Sequence, residues 1–159
     1  MTTIEPRPWA DPAGVYLRER QHLEILDRYD GVDTEPGVHP SADDIALFLI
    51  AFDDDGTPLG CGALRRLDAT SAEVKRMYVE PAARGTGVST AVLRALEQAA
   101  VGRGWTTLKL ETGPGQPDAI RFYEREGYVV IPQYGDYVGA ELSVCYQRVF
   151  SSGAPAGAR

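Results

Sequence analysis

The sequence holds few of the side chains from which metal sites and covalent-catalysis sites are usually built. It has two cysteines, Cys61 and Cys145, and two histidines, His22 and His39, and none of the four falls into a CxxC or Cys/His cluster. Structural zinc and iron–sulfur sites need such clusters, so no metal is predicted. A cysteine without a patterned histidine also argues against a thiol nucleophile. The cysteines are therefore interpreted as small core residues of a protein from a reducing compartment.

Positive charge and long apolar runs are also scarce. The 16 Lys and Arg residues are outnumbered by 23 Asp and Glu, which gives a net charge of −7 at pH 7 and argues against a general nucleic-acid binder. The longest apolar run, residues 45–52, is too short to span a bilayer, and residues 1–12 contain no hydrophobic signal core. A soluble cytoplasmic protein without nucleic-acid or membrane partners is predicted.

The hydrophobic periodicity predicts one domain over residues 1–150 with the element order β-α-β-β-β-α-β-α-β-β. The three helices are expected to begin at about residues 12, 88 and 117, and the order implies an α/β (α+β) fold with a mixed sheet flanked by helices. Residues 32–44 are rich in Pro, Gly and acidic side chains and are predicted to be a loop bordering a binding site. The tail SSGAPAGAR, residues 151–159, is predicted to be disordered.

Two glycines stand directly before the second helix, in the segment ARGTGVST, residues 83–90. A helix N-terminus exposes unpaired N–H groups, and glycine lets a phosphate approach them because it has no Cβ. Neither the P-loop ending nor the third glycine of the dinucleotide fingerprint is present. The segment predicts a pyrophosphate cradle, with an irregular loop as the alternative. The predicted cradle residues are Arg84, Gly85, Thr86, Gly87, Val88, Ser89 and Thr90.

The strand before this cradle, AEVKRMYV at residues 72–79, has no consistently apolar face. Strict alternation divides its side chains into two mixed sets: Glu73, Lys75, Met77 and Val79, and Val74, Arg76 and Tyr78. A strand that only filled a core would bury one apolar face, so part of this strand is expected to line a cleft.

Taken together, these segments resemble the GNAT (Gcn5-related) N-acetyltransferases. The family pattern Q/R-x-x-G-x-G/A at the start of the central helix matches Arg84, Gly87 and Ser89, with Ser89 standing where Gly or Ala is usual. A second pattern, A-x-x-x-Y-x-x-x-G-F/Y, is matched about thirty residues later by Ala119, Tyr123, Gly127 and Tyr128. The resemblance covers about residues 45–150. It implies a mostly antiparallel twisted sheet with a central parallel strand pair that splays apart.

The resemblance further implies an acetyl-CoA-dependent N-acyltransferase, with direct attack of an amine on the thioester. The pantetheine arm would pair with the backbone at Met77, Tyr78 and Val79, where an N–H group would also stabilise the oxyanion, and the pyrophosphate would lie on the cradle. Gln116 stands at the start of the third helix, where many members have Asn, and is expected to border the cofactor.

Two catalytic roles are carried over from the family. Tyr123 would protonate the departing thiolate, and Glu73 is the preferred general base, because it lies six residues before Val79 as in the histone-acetylating relatives. Glu111 or a water chain is the alternative base, and an ion pair with Lys75 or Arg76 is the structural alternative for Glu73.

The predicted acceptor is the primary amine of a small molecule or of an amino-acid-like compound. The loop IPQYGDYVG, residues 131–139, places Asp136 between Tyr134 and Tyr137, a combination that could hold a cation. A protein lysine or N-terminus is the alternative acceptor, and a non-catalytic CoA-binding sensory module is the alternative function. A homodimer formed through the terminal strands is a further option.

Overall fold

The computed structural model describes residues 1–150, so the predicted disordered tail lies outside the described residues. Strands and helices follow one another in the predicted order. The strands are β1 (Thr3–Pro6), β2 (Leu47–Phe52), β3 (Pro58–Arg66), β4 (Ser71–Val79), β5 (Thr107–Thr112), β6 (Val129–Ile131) and β7 (Val144–Val149). The helices are α1 (Pro12–Arg28), α2 (Val88–Gly102) and α3 (Pro117–Arg125). The fold is thus a mixed, mostly antiparallel sheet flanked by helices, as predicted.

The strands form one sheet in the order β1-β2-β3-β4-β5-β7-β6, and β4–β5 is the parallel pair. One face of the sheet packs against α2 and α3, and the other packs against α1. The α2 core includes Val92, Leu93 and Leu96, and Leu17 of α1 packs with Phe48 on the opposite face. Burial of these side chains supplies the main drive for folding.

The helix ends follow the predicted capping signals. Asp11 accepts a hydrogen bond from the Ala13 N–H at 2.9 Å, and Pro12 occupies the first turn of α1. Gly127 follows α3 in a left-handed conformation, with φ of 97°. The apolar spacing of α1 is less informative, since Val15 and Leu23 are 37% and 64% exposed. Both side chains instead border a cavity.

Strand β4 contains a β-bulge at Arg76, which adopts a φ of 57°. Its pairing with β3 shifts between Cys61 and Ala63 at this point. An extra residue in one strand interrupts the alternation of side chains. The prediction of strict alternation along β4 is therefore wrong beyond Lys75.

Because of the bulge, the side chains of β4 divide differently between the two faces of the sheet than strict alternation implies. Val74, Met77 and Val79 all contact the α2 core, whereas Tyr78 packs in the α1 core. Lys75 pairs with Ala63 and shares the α1 side. Of the polar residues that made the strand look mixed, Lys75 and Arg76 border a cavity.

The parallel strands β4 and β5 separate soon after they meet. They pair only at Ser71–Thr107, Ala72–Leu108 and Glu73–Lys109, although β4 continues to Val79 and β5 to Thr112. The backbone groups beyond these three positions have no partner across the gap. The splayed strand pair implied by the family resemblance is therefore present.

Candidate active site

Two adjoining cavities occupy the gap between β4 and β5. The larger has a volume of about 740 Å³ and the smaller about 200 Å³. Six residues contribute to both walls: Gln21, Ile25, Met77, Gln116, Ala119 and Tyr123. Because α1, β4 and α3 all supply wall residues, the gap is covered from both faces of the sheet.

The smaller cavity lies beside the predicted cradle. Met77, Tyr78, Val79, Arg84 and Ser89 line it, and Gln116 lies at the N-terminal end of α3. Tyr78 is turned away from solvent, and its hydroxyl donates a hydrogen bond to Glu80 at 2.9 Å.

Both glycines of the predicted cradle have left-handed backbone conformations. Gly85 and Gly87 have φ of 78° and 89°, and a Cβ at either position would meet nothing within 4 Å. The Thr86 hydroxyl donates to the Ala83 carbonyl, which fixes the turn. The first helical hydrogen bond runs from the Ala91 N–H to the Gly87 carbonyl. The N–H groups of Val88, Ser89 and Thr90 therefore precede it and have no partner within α2.

Arg84 is already engaged by the protein. Its Nε donates to the Val79 carbonyl at 2.9 Å, and its Nη2 pairs with Glu24 at 2.8 Å. The bond to the strand end holds the guanidinium beside the cavity. An incoming anion would have to compete with Glu24, which lies on the same cavity wall.

Tyr123 stands where the two cavities meet. Its side chain is 7% exposed and packs against Phe122 and Tyr128 in edge-to-face contacts. Burial raises the pKa of its hydroxyl. Tyr123 therefore stays protonated through the neutral range and can act as a hydrogen-bond donor to either cavity.

Glu111 lines the larger cavity from β5 and has the properties of a general base. Burial raises the pKa of its carboxyl from 4.5 to about 7, and the neighbouring carboxylates Glu35 and Glu73 act in the same direction. The Ser143 hydroxyl donates to Glu111 Oε2 at 2.8 Å, and Lys75 adds an opposing attraction. A carboxyl with this pKa can accept a proton and release it at neutral pH.

Glu73 is held differently, outside the residues that line either cavity. Its side chain is 2% exposed, and its Oε2 accepts hydrogen bonds from the hydroxyls of Tyr134 and Tyr137 at 2.9 and 2.6 Å. Arg65 lies 3.5 Å from its other oxygen. The hydroxyls of the two tyrosines predicted to hold a cation thus bind a carboxylate of the protein. Ammonium groups of the protein also lie over their rings, Lys75 at 5.6 Å from the centroid of Tyr137 and Lys109 at 5.2 Å from that of Tyr134. This geometry favours Glu111 over Glu73 as the base.

Glu35 ties the acidic loop to the wall of the larger cavity. Its carboxylate accepts hydrogen bonds from Lys75 at 2.7 Å and from both terminal nitrogens of Arg76 at 2.9 and 3.0 Å. Burial opposes its ionisation, but Arg76 and Lys75 outweigh burial and lower the pKa from 4.5 to about 2. Residues 33–35, 39 and 40 line the cavity, so the predicted loop does border it.

Replacing Glu35 by Gln is expected to destabilise the protein by about 2–3 kcal/mol at pH 7, because the buried Lys75 and the half-buried Arg76 lose their partner. Because folding lowers the pKa of Glu35, its ionised carboxylate stabilises the folded protein above the unfolded value of 4.5. This contribution is lost as the pH falls toward 2. The difference between Glu35→Gln and wild type should therefore shrink between pH 5 and pH 2.5 in urea unfolding curves. The exposed Asp43, replaced by Asn, is the control. An equal loss in both variants would contradict the anchoring role of Glu35.

Sequence reasoning missed several residues of the cavity. His22 and His39 are exposed and also border it, with His39 3.4 Å from Asp33. Gln21 of α1 donates to the Met77 carbonyl at 2.8 Å. No local pattern signals the contact of Gln21, because it joins residues 56 positions apart in the sequence.

Three residues of the larger cavity's wall each have a buried polar atom without a hydrogen-bond partner among residues 1–150. These atoms are Arg18 Nη1, Gln21 Oε1 and Thr112 Oγ1. Buried polar groups are rarely left unpaired, so these atoms are suited to a ligand that fills the gap.

Among residues 1–150, no group of three or more His, Cys, Asp or Glu side chains could hold a metal ion. None of the helices among residues 1–150 is long and apolar enough to cross a membrane.

The sequence and the fold both match known proteins. The sequence model of the Acetyltransferase (GNAT) family matches residues 8–128. An IAA acetyltransferase from Azospirillum brasilense is 34% identical over 136 residues, which cover 80% of this chain and 88% of the relative.

Solved structures give the same picture. A Klebsiella pneumoniae protein classed as an acyl-CoA N-acyltransferase superposes with a TM-score of 0.81 at 28% identity, over 94% of this chain and 98% of that chain. A GNAT family acetyltransferase from Elizabethkingia anophelis, solved with acetyl-CoA bound, has a TM-score of 0.69 at 15% identity, over 94% and 98% of the two chains. The second similarity concerns the fold alone.

Proposed function

The chain belongs to the GNAT acetyltransferase family, and from that premise we propose that it transfers the acetyl group of acetyl-CoA to the primary amine of a small molecule. The observation that carries this proposal is the joint position of Tyr123 and Glu111 at the gap between β4 and β5. One group keeps its proton at neutral pH and the other can take one up. Acyl transfer to an amine needs both.

The smaller cavity is proposed to receive the CoA arm. The β4 backbone at Met77, Tyr78 and Val79 has no partner on β5 and borders this cavity, which supports strand-like pairing with an extended amide chain. An arm bound there would compete with the Gln21 and Arg84 side chains for the carbonyls of Met77 and Val79. The pyrophosphate would accept hydrogen bonds from the N–H groups that open α2, with Ser89 supplying a hydroxyl at the cavity wall. Gln116 separates the arm from the larger cavity. Bound there, acetyl-CoA supplies the activated acyl group.

The catalytic steps are assigned to three groups of the protein. Glu111 takes the proton that the acceptor ammonium must lose before its nitrogen can attack, directly or through a water molecule. A backbone N–H near Met77, at the bulge of β4, stabilises the negative charge on the carbonyl oxygen. As the C–S bond breaks, Tyr123 donates its hydroxyl proton to the departing sulfur, and the proton that the nitrogen loses when the amide forms restores the Tyr123 hydroxyl. Glu73 holds Tyr134 and Tyr137 by hydrogen bonds behind the cavity and performs none of these catalytic steps.

The larger cavity is proposed to hold the acceptor. Its volume of about 740 Å³ lies within the range of sites for small ligands. The loop anchored by Glu35 forms part of its wall and leaves less room for a protein chain. The name of the Azospirillum relative, an IAA acetyltransferase, also refers to a small molecule.

The proposal is tested by thiol release from acetyl-CoA with a panel of amines, amino acids and basic peptides, and by calorimetric titration with CoA. Amine-dependent release is expected for small acceptors. Release with basic peptides alone would instead identify a protein-lysine or N-terminal acetyltransferase. Undetectable CoA binding would refute the cofactor assignment.

Gly87→Ala tests the cradle. Gly87 is left-handed, so alanine strains the turn by about 1–2 kcal/mol and shifts the N–H groups that follow. The dissociation constant for CoA is expected to rise about tenfold in calorimetry, the equivalent of 1.4 kcal/mol.

The matched control for this change is Gly104→Ala. Gly104 has a φ of 83° and lies just after the C-terminal end of α2. A Cβ at this position would also meet no atom within 4 Å. The two variants should lose similar stability, but only Gly87→Ala should weaken CoA binding. Equal affinity in both would show that the cradle does not bind the pyrophosphate.

A further inference from the structure

The cations around the larger cavity differ in how their charge is balanced. Lys75 and Arg76 both pair with Glu35, and His39 lies near Asp33. Arg18 also lines this cavity, and it forms no ion pair among residues 1–150. Among residues 1–150, the Lys and Arg side chains that line this cavity are Arg18, Lys75 and Arg76, and of these only Arg18 has no carboxylate partner.

The Arg18 guanidinium is fixed rather than solvated. It stacks over the Trp9 ring at 3.6 Å and lies 5.0 Å from the centroid of Phe48. Its Nη2 donates to the Trp9 carbonyl at 2.7 Å, while the buried Nη1 has no hydrogen-bond partner. The two aromatic rings fix the plane of the Arg18 guanidinium, and the N–H groups of Nη1 are left without an acceptor.

The electrostatic surroundings make this arrangement unfavourable in isolation. Burial lowers the pKa of Arg18, and the positive charge of Arg76 acts in the same direction. A partly buried cation with unused donors is stabilised by an anion that completes its hydrogen bonds. The cavity beside it has room for such a ligand.

We propose that Arg18 binds a carboxylate of the acceptor, so that the acceptor is an amino acid or another amine that carries a carboxylate. This inference rests on the proposed function and narrows its substrate class. Glu111 on β5 and Arg18 on α1 both line this cavity. In this proposal the ammonium of the acceptor lies at Glu111 and its carboxylate at Arg18, so that each end meets an opposite charge. The planar guanidinium suits the planar carboxylate, as a lysine at this position would not.

The test compares acceptors that share a skeleton. Phenylalanine, leucine and lysine are each assayed as the free acid, as the carboxamide and as the decarboxylated amine, by thiol release from acetyl-CoA. Wild type should prefer the best acid over its amide by about 10–100-fold in kcat/KM. Arg18→Gln should lose this preference while the KM for acetyl-CoA stays unchanged.

Arg103→Gln is the matched control. Arg103 also lies over a tryptophan, Trp105, at 5.8 Å, but it is exposed at the end of α2 and away from the cavity. It should keep the full preference for acids. Equal use of acids and amides by wild type, or equal losses for both in Arg18→Gln, would overturn the assignment of Arg18.

A binding measurement separates this inference from the proposed function. N-acetylphenylalanine and its amide are titrated into the CoA-bound enzyme, with and without Arg18→Gln. Tighter binding of the acid to wild type alone supports the carboxylate site even if no amine is acetylated, in which case only the transferase proposal fails. No difference between acid and amide, including no binding of either, overturns the inference.

Discussion

Glu111→Gln is expected to lower kcat by about 10²–10³-fold, because an amide cannot accept the proton of the attacking ammonium. Wild-type kcat/KM should rise with pH and level off above about 7, the pKa to which burial raises Glu111. The variant should lack this inflection. Steady-state thiol release between pH 5.5 and 9 measures both effects, and CoA affinity by calorimetry should be unchanged.

The stability of this variant provides an internal check. A carboxyl whose pKa is raised on folding from 4.5 to about 7 makes wild-type stability decline as the pH rises through that range. Glu111→Gln has no carboxyl to ionise at this position and therefore lacks this decline. For that reason the variant should be at least as stable as wild type at pH 8. Lost activity can then be separated from lost folding.

Two comparison variants complete the experiment. Glu141→Gln removes an exposed carboxylate of the β6–β7 connection and should leave activity intact. Glu73→Gln should mainly reduce stability, because Tyr134 and Tyr137 lose a charged acceptor. If instead Glu73→Gln abolished the pH inflection and Glu111→Gln kept it, the base would be Glu73.

Tyr123→Phe is expected to reduce kcat by about 10²-fold, since it removes the hydroxyl that donates a proton to the leaving sulfur while preserving the ring. The ring contacts with Phe122 and Tyr128 remain, so folding and CoA affinity should change little. Acetyl transfer rates under saturating acetyl-CoA, with calorimetry of CoA, measure the separation.

Tyr146→Phe is the control for Tyr123→Phe. Tyr146 is buried in the same core, and its hydroxyl donates to Glu124 at 3.0 Å, away from both cavities. Its loss should affect stability and leave turnover unchanged. Full turnover by Tyr123→Phe would remove this residue from the mechanism.

The features of the fold that can be predicted from the sequence are those determined by a few neighbouring residues, such as helix ends. Asp11 and Pro12 mark the start of α1, and Gly127 adopts the left-handed backbone typical of a glycine that follows a helix. Such signals act within a few residues, so neither packing nor topology is needed to interpret them.

The bulge of β4 lies beyond such reasoning. Arg76 is not a residue type that favours positive φ, so strict alternation was the natural assumption. The roles of the carboxylates were hidden for a related reason. Glu73 meets Tyr134 and Tyr137 more than sixty positions later, and Glu111 owes its raised pKa to burial that only the assembled sheet creates.

The three-position contact between β4 and β5 has a mechanical consequence. It joins a half-sheet of four strands to a half-sheet of three, and the seam is open along the rest of its length. A ligand that hydrogen-bonds to both strands would act as a splint across that seam. Ligand binding is then expected to stiffen the junction of the two half-sheets and to limit the motion of Glu111 on β5 relative to β4.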